Sequence, residues 1–318
     1  MVREWLPQAA KSSEGRRSWH TSVTVSVGVR QVSILSGALY IVATPIGNLG
    51  DMTPRAIEVL RAVTIIAAED TRHSGVLLRH FGITTPCLAY HEHNERQQTQ
   101  NLIERLQQGA AVALISDAGT PLLSDPGYHL VRAAHAADIR VIPIPGASAV
   151  LAALSVSGLA TDRFAFEGFL PAKSGARRER LQLLHNETRT LVFYEAPHRV
   201  LATLGEMAEI LGHHREAVLT RELTKVYETV RKDSLERLWR WVEEDPNQQQ
   251  GECVIVVQGA ESAPGHDDAD GEMRHILGVL LAELPLKQAV GLAVRITGEK
   301  RNRLYQWAVE IKDSKHDG

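Results

Sequence analysis

Short apolar runs alternate along the chain with polar stretches of helical period, and the clearest run is Ala111-Val112-Ala113-Leu114-Ile115. Five small or branched apolar residues in a row predict a buried strand. The run breaks into Ser116-Asp117-Ala118-Gly119-Thr120-Pro121, then Ser124-Asp125-Pro126-Gly127, and residues 128–137 read as a helix. A carboxylate beside glycine and proline lets a backbone turn sharply and approach a bound molecule closely. Further strands are expected at 39–44, 64–68, 86–90 and 140–144. Thr53 as cap and Pro54 as first helical residue announce a helix to about 62, and another follows 69–73 to about 81. Asn94, with Gln97 three residues on, predicts a capped helix start running to 108. Pro145-Gly146-Ala147-Ser148-Ala149 opens an apolar helix to about 157. Five strand–helix repeats of this kind predict a parallel sheet covered on both faces.

Beyond a linker at 158–163 the pattern changes. Strands are expected at 164–169, 190–194, 217–220, 226–230 and 253–257, with helices at 175–186, 197–211 and 235–244. This is a second α/β unit whose hairpin-like portion makes its sheet mixed. A stretch rich in Asp, Gly and Pro at 263–271 reads as a linker. Three short helices at 273–284, 285–297 and 301–311 follow at helix-turn-helix spacing. The expected division is therefore an extension at 1–38, a first α/β domain at 39–158, a second at 159–262 and a helical end piece at 272–314. Valines at 23, 25, 27 and 29 alternate in a strand-like way, but Met1 to Arg17 is polar and irregular. The extension is expected to be a disordered tail or a translation start placed too far upstream.

Composition narrows the functional classes. At 318 residues the chain has room for about two domains. An apolar fraction of 44% and a charged fraction of 23% are those of an ordinary soluble globular protein. A net charge of -3 gives no bulk attraction to nucleic acid, so any such affinity must come from local patches. Two distant cysteines, Cys87 and Cys253, form neither a disulfide framework nor a metal knuckle and suit a reducing cytoplasm. No apolar run reaches the roughly 18 residues of a membrane span.

Four strand ends of the first unit run into polar or Gly/Pro loops at 44–51, 69–72, 116–121 and 145–148. In a parallel sheet all four lie at one rim, where open α/β sheets hold ligands. The glycines follow neither the dinucleotide fingerprint nor the phosphate-loop pattern, so a nucleotide-like ligand without a pyrophosphate fits better. Asp117 is either a carboxylate for a ligand ammonium or hydroxyl, or an Asx-turn that caps the following helix.

The motifs Tyr40-Ile41-Val42-Ala43-Thr44-Pro45-Ile46-Gly47-Asn48-Leu49-Gly50-Asp51, Ala68-Glu69-Asp70-Thr71-Arg72-His73, the Ser116 to Gly127 stretch and Pro145-Gly146-Ala147-Ser148 together resemble the tetrapyrrole methylase superfamily. More narrowly they resemble its ribosomal RNA small subunit methyltransferase I branch. Phe166-Glu167-Gly168-Phe169-Leu170-Pro171-Ala172-Lys173, Phe193-Tyr194-Glu195-Ala196-Pro197-His198-Arg199 and Arg221-Glu222-Leu223-Thr224-Lys225 extend the likeness, which runs from about 39 to about 311. The resemblance implies S-adenosylmethionine in a cleft between two α/β domains, a cytoplasmic homodimer, and methylation of the ribose 2′-hydroxyl of a cytidine in the decoding region of 16S rRNA, within the small ribosomal subunit. By similarity, Pro45, Gly47, Asp117, Ala118, Gly119, Ser148 and Ala149 line the cofactor from the first domain, and Tyr194, Glu195 and Leu223 from the second. The first loop carries one glycine in Thr44-Pro45-Ile46-Gly47-Asn48, a departure from the glycine-rich form of the small-molecule branch.

For a weakly nucleophilic ribose hydroxyl, Asp70 is the first candidate base, with Arg72 beside it; the alternative is an ion pair that fixes the loop. Glu222 and Lys225 are second-choice bases or phosphate contacts. Lys173, Arg177, Arg178 and Arg180 form the clearest basic patch and are expected to meet RNA phosphates, against a solvated helix face. Lys300, Arg301 and Arg303, with Tyr305 and Trp307 nearby, are candidates for RNA contact through charge and stacking, or for the core of the end piece. The His91-Glu92-His93-Asn94-Glu95 cluster lacks the spacing that sets two histidines on one helical face, so no metal is assigned. Two other functions stay open: a tetrapyrrole C-methyltransferase, and a non-enzymatic RNA-binding or assembly protein.

Overall fold

A computed structural model describes residues 34–261 and 269–313. The apolar run becomes β4 (Val112–Ile115), buried throughout, and its neighbours are strands of the same kind. They are β1 (Ala38–Val42), β2 (Ile65–Ala68), β3 (Cys87–Ala89) and β5 (Arg140–Ile144), in the order β3-β2-β4-β1-β5 and parallel at every pairing. Pro143 is tolerated in β5 because that strand is an edge and needs one side of its ladder only. The connecting helices are α1 (Pro54–Ala62), α2 (Thr71–His80), α3 (Glu95–Gln107), α4 (Tyr128–Ala136) and α5 (Ala149–Ser157).

At α1 the expected cap forms, with Thr53 Oγ1 accepting from the Ala56 N–H at 3.2 Å. Thr53→Ala should cost about 1 kcal/mol of stability in urea unfolding and Thr53→Ser much less; equal losses would show that the hydroxyl is idle. At α3 the expected capping box is corrected. Asn94 turns backward, accepting from His91 N at 2.9 Å and donating to Ala89 O at 3.0 Å, and makes no side-chain bond to its own helix.

The second sheet is mixed, as its hairpin pattern predicted. It comprises β6 (Phe164–Phe169), β7 (Thr190–Glu195), β8 (Glu216–Arg221), β9 (Thr229–Ser234) and β10 (Cys253–Val257), in the order β6-β7-β10-β8-β9. Only β6 and β7 pair in parallel. The strand expected at 226–230 instead starts at Thr229. Val226 and Tyr227 are exposed at 93% and 72%, and the polar Thr229-Val230-Arg231-Lys232-Asp233-Ser234 forms the edge beside β8. Helices α6 (Ser174–Leu183), α7 (Val200–Leu211) and α8 (Leu235–Glu244) cover one face, packing on Leu191, Phe193, Leu219 and Ile255. The residues expected to begin α7, Pro197–Arg199, form a short 3-10 turn before it.

The opposite face of that sheet is covered by a helix from the first unit. Val192, Val218, Val254 and Val256 cluster with Val150, Ala153 and Leu154 of α5, and with Ile46 and Leu223. This explains why α5 is apolar nearly all round: it packs between the two sheets. It also brings the loop rim of the first sheet against the second.

The end piece consists of α9 (Ala269–Glu283), α10 (Leu286–Thr297) and α11 (Arg301–Asp313) around Leu277, Val290, Leu304 and Trp307. Helix α9 begins inside the expected linker at 263–271; the rest of that stretch up to 268, like the valine alternation and most of the expected extension, lies outside the described residues. Among the described residues no helix is long and apolar enough to cross a membrane.

Candidate active site

The four rim loops are bonded to one another. Thr44 and Gly119 exchange backbone hydrogen bonds at 2.8 and 3.1 Å, an isolated antiparallel bridge across the carboxyl ends of β1 and β4. Thr44 Oγ1 also donates to Ser116 O at 3.2 Å. The Asp70 N–H donates to Asp117 Oδ1 at 3.2 Å, joining the loops after β2 and β4. Thr120 Oγ1 donates to Ala147 O at 3.0 Å, joining the loops after β4 and β5. Asp117 is therefore neither a helix cap nor a free carboxylate; it holds a neighbouring loop with one oxygen. Gly119 has φ +82°, and a Cβ there would come within 3.2 Å of Ile46 Cγ2, so the bridge needs glycine.

Between this rim and the second sheet lie two adjoining cavities of about 420 and 350 Å³, which share Ile46, Asp117, Ala118 and Glu252. The larger is lined from the first unit by Glu69, Gly119, Asp125 and Ala149, and from the second by Phe169, Tyr194, Glu195 and Cys253. The smaller takes Pro45, Gly47, Ser74 and Lys225. Of the residues expected to hold the cofactor, the structure thus brings Pro45, Gly47, Asp117, Ala118, Gly119, Ala149, Tyr194 and Glu195 to one connected space. Leu223 sits just behind it, packed with Ile46, and Ser148 is buried at the start of α5. The Oγ atoms of Ser148 and Ser74 are buried and have no hydrogen-bond partner among the described residues, so each is a polar group available to a ligand or water.

The walls are acidic. Glu69, Asp117, Asp125, Glu195 and Glu252 all face the larger cavity. Burial, and then the Asp117 charge, push Glu69 above the usual carboxylate value. Burial pushes Asp125 up to about 6, aided by Glu69 and Asp117 and opposed by a hydrogen bond from Ser116. Burial likewise pushes the Tyr194 hydroxyl up to about 12. Crowded carboxylates in a low-dielectric space favour a cationic guest, which relieves their mutual repulsion. Apolar Ile46, Leu123, Phe169 and Val254 supply the rest of the lining.

The polar residues expected to act as bases are committed elsewhere. Asp70 caps α2, accepting from Arg72 N at 2.8 Å and pairing with the exposed Arg72 guanidinium at 3.4 Å. The Arg72 backbone N–H and then its side chain hold Asp70 below the usual carboxylate value. Lys225 reaches Glu222 at 2.9 Å and Glu252 at 3.1 Å. Burial alone would lower the Lys225 ammonium, but the two carboxylates outweigh it and raise it. Its aliphatic stem lies where a Cβ on Gly47 would stand. Glu222 and Thr224 both take left-handed backbone, at φ +53° and +67°, a strained turn held at the cavity edge. Glu195 is saturated, accepting from Ala196 N at 2.8 Å and Thr203 Oγ1 at 2.6 Å and pairing with Arg199 at 3.1 Å.

One member of the basic patch on α6, Arg177, is corrected. Arg177 is buried, its guanidinium bidentate to Glu206 at 2.7 and 2.8 Å, so it has no face for RNA. Arg178 pairs with Glu209 and Arg180 with Glu167, while Lys173 is exposed. In the end piece Lys300 and Arg301 are exposed. Arg303 pairs with Glu299 at 3.1 Å and stacks at 4.7 Å from the Trp307 ring centroid. Trp307 belongs to the core of the end piece, whereas Tyr305 is half exposed. Asp125, Glu69, Ser74 and Glu252 were not expected at the site. The Ser124-Asp125-Pro126-Gly127 turn was visible as a loop, but only the fold shows that it faces the cavity.

Residues 38–238 match the family described as Tetrapyrrole (Corrin/Porphyrin) Methylases, and residues 267–312 match the RsmI C-terminal HTH domain. A relative from Pseudomonas aeruginosa, named ribosomal RNA small subunit methyltransferase I, is 57% identical over 275 residues, covering 86% of this chain and 98% of its own. Among solved structures, the methyltransferase CobJ aligns with TM-score 0.54 at 19% identity, over 72% of this chain and 96% of that one. A uroporphyrin-III C-methyltransferase from Thermus thermophilus, complexed with S-adenyl homocysteine, aligns with TM-score 0.50 at 16% identity, over 70% and 97%. At such identities the two structures speak for the fold alone.

Proposed function

This chain belongs to the tetrapyrrole methylase family, in its ribosomal RNA small subunit methyltransferase I branch, and from that membership we propose that it methylates the ribose 2′-hydroxyl of a cytidine in the decoding region of 16S rRNA, using S-adenosylmethionine. The observation that carries this reading is the stitched rim: Thr44 to Gly119, Asp70 to Asp117 and Thr120 to Ala147 turn four loops onto one acidic cavity. S-adenosylmethionine, when bound, supplies an electrophilic methyl on a positively charged sulfur.

Acidic walls at Glu69, Asp117 and Asp125 suit that cation and the amino group of its methionine part. In this reading Pro45, Gly47, Asp117, Ala118, Gly119, Ser148 and Ala149 hold the donor from the first unit, and Tyr194, Glu195 and Leu223 complete the cleft from the second. Glu195 acts there through Arg199 and Thr203, keeping the end of β7 rigid. Fixed loops serve alignment: holding acceptor oxygen, methyl carbon and sulfur in line supplies much of the acceleration for a displacement of this type.

The RNA contacts assigned to this reading are the exposed Lys173, Lys300 and Arg301, with Arg178, Arg180 and Arg303 available through partial release from their carboxylates. A homodimer, a cytoplasmic location, an assembled small subunit as the substrate, and the division at 39–158, 159–262 and 272–314 belong to the same proposal. The 57% identity to a relative named for ribosomal RNA favours this acceptor over a tetrapyrrole. Two measurements test it. Calorimetry with S-adenosylmethionine is expected to show one-site binding, and silence would remove the donor. In cells lacking the protein, 16S rRNA is expected to lose one 2′-O-methyl; an unchanged pattern would remove the acceptor.

A further inference from the structure

Methyl transfer to a ribose hydroxyl requires that the hydroxyl proton go somewhere, and the acids on the cavity wall are not equally free to take it. Glu195 is saturated by Ala196, Thr203 and Arg199. Asp117 holds the Asp70 N–H, and Glu252 pairs with Lys225. Asp70 and Glu222, the bases suggested by sequence, line neither cavity. Glu69 lies at the end of β2 against the Asp117 backbone. Asp125 remains, half-buried on the wall of the larger cavity near Phe169 and Tyr194, with the Ser116 hydroxyl as its hydrogen-bond partner and, among the described residues, no ion pair.

The loop that carries Asp125 is unusually fixed. Leu122 and Ser124 both take left-handed backbone, at φ +74° and +69°, a conformation that strains a non-glycine residue. Such strain persists only where the surroundings enforce it. On one side Ser124 Oγ sits against Gly168, within 3.2 Å of where a Cβ would stand. On the other, the buried Glu95 carboxylate accepts from Gly127 N at 3.1 Å and from the Tyr90 hydroxyl at 3.1 Å. A buried acid with no part in the donor site thus pins the turn from behind.

We propose that Asp125 is the general base of the reaction, taking the proton of the ribose 2′-hydroxyl as the methyl group is transferred. This rests on the function proposed above. The ribose oxygen forms its bond to the methyl carbon while its hydrogen passes to an Asp125 carboxylate oxygen, and the electron pair of the broken carbon–sulfur bond stays on sulfur. The groups facing Asp125 are Glu69 from the end of β2, Ser116 and Asp117 from the end of β4, and Tyr194 from β7. Burial and the two neighbouring carboxylates raise its basicity to a value near 6, so at neutral pH it is ionised yet a far better proton acceptor than an exposed aspartate.

The test is Asp125→Asn in the full-length protein, with Asp125→Glu beside it. Calorimetry with S-adenosylmethionine should show that the Asn variant still binds donor, with affinity lowered by no more than about tenfold through the loss of one wall carboxylate. Single-turnover methyl transfer to small-subunit RNA should fall about 100-fold or more in the Asn variant, with partial recovery in the Glu variant. The wild-type rate should decline below about pH 6, and that limb should be missing from the Asn variant.

A readout without donor or RNA comes from thermal unfolding. The folded value near 6 lies above the ordinary 3.8, so this group's contribution is fully present below about pH 4 and lost as pH rises through about 6. Asp125→Asn should flatten that slope. A single-turnover rate within threefold of wild type, an unchanged acid limb, or loss of donor binding in the Asn variant would each overturn the assignment. Failure of the wild-type protein to bind donor or methylate RNA would instead overturn the proposed function.

Discussion

Arg177→Ala is expected to lower the unfolding free energy by about 3–5 kcal/mol, the range for removing one partner of a buried ion pair. The Arg177 side chain is 5% exposed and that of Glu206 is 12% exposed. Its Nε and one terminal nitrogen bind the two Glu206 oxygens at 2.7 and 2.8 Å, and Ser174 Oγ donates to the same carboxylate at 2.7 Å. Alanine would leave Glu206 desolvated and short of its cation. Burial by itself would raise Glu206, yet Arg177 and Ser174 outweigh it and hold it below the usual carboxylate value. The pair's contribution is therefore present above the ordinary Glu range and lost as pH falls through the lower folded value. Guanidinium unfolding of the single variants and of Arg177→Met with Glu206→Leu checks this. The double variant should recover most of the loss, because no charge is then left unpaired. Arg178→Ala, at a half-exposed pair with Glu209, should change stability by less than about 1 kcal/mol. A loss below 1 kcal/mol for Arg177→Ala would show that the pair is solvated in solution.

Asp117→Ala is expected to weaken donor binding by about 1–3 kcal/mol, roughly 5- to 150-fold in Kd. Two effects combine in that figure. The carboxylate faces both cavities, so its charge is lost to a cationic donor. Its Oδ1 also holds the Asp70 N–H at 3.2 Å, so the loop after β2 loses its tie to the loop after β4. Asp117→Asn separates them, keeping an oxygen for Asp70 while removing the charge. Calorimetry should place the Asn variant between wild type and Ala. An unaltered affinity in the Ala variant would remove Asp117 from the donor site.

Much of the fold was legible because its strands and helices are locally encoded. The residues of β6, β10 and α8 were bounded correctly from period and turn chemistry alone, since apolar alternation and polar breaks coincide there. The failures share one cause. Asn94 has the residue type of an N-cap, but its amide finds Ala89 O and His91 N, partners that exist only once the β3 turn has formed. Arg177 looks like a free cation in sequence because Glu206 is distant along the chain and adjacent in space. The edge strand β9 was shifted because an edge need not be apolar, and Val226 and Tyr227 imitate a strand while standing in solvent.

The chain by itself determined the parallel sheet, the four polar loops at its rim, the mixed second sheet and the membership in a methyltransferase family, because these are written in short-range pattern and in motifs. What only tertiary structure decided is which acid faces which space. Helix α5 packs its Val150, Ala153 and Leu154 into the valine face of the second sheet and so closes the rim into a cavity. That burial is a long-range event, and it brings the rim against the second sheet, where Asp125 comes to face Glu69, Asp117 and Tyr194. A side chain's proton affinity depends on its neighbours and its distance from water, and neither is a property of position along the chain.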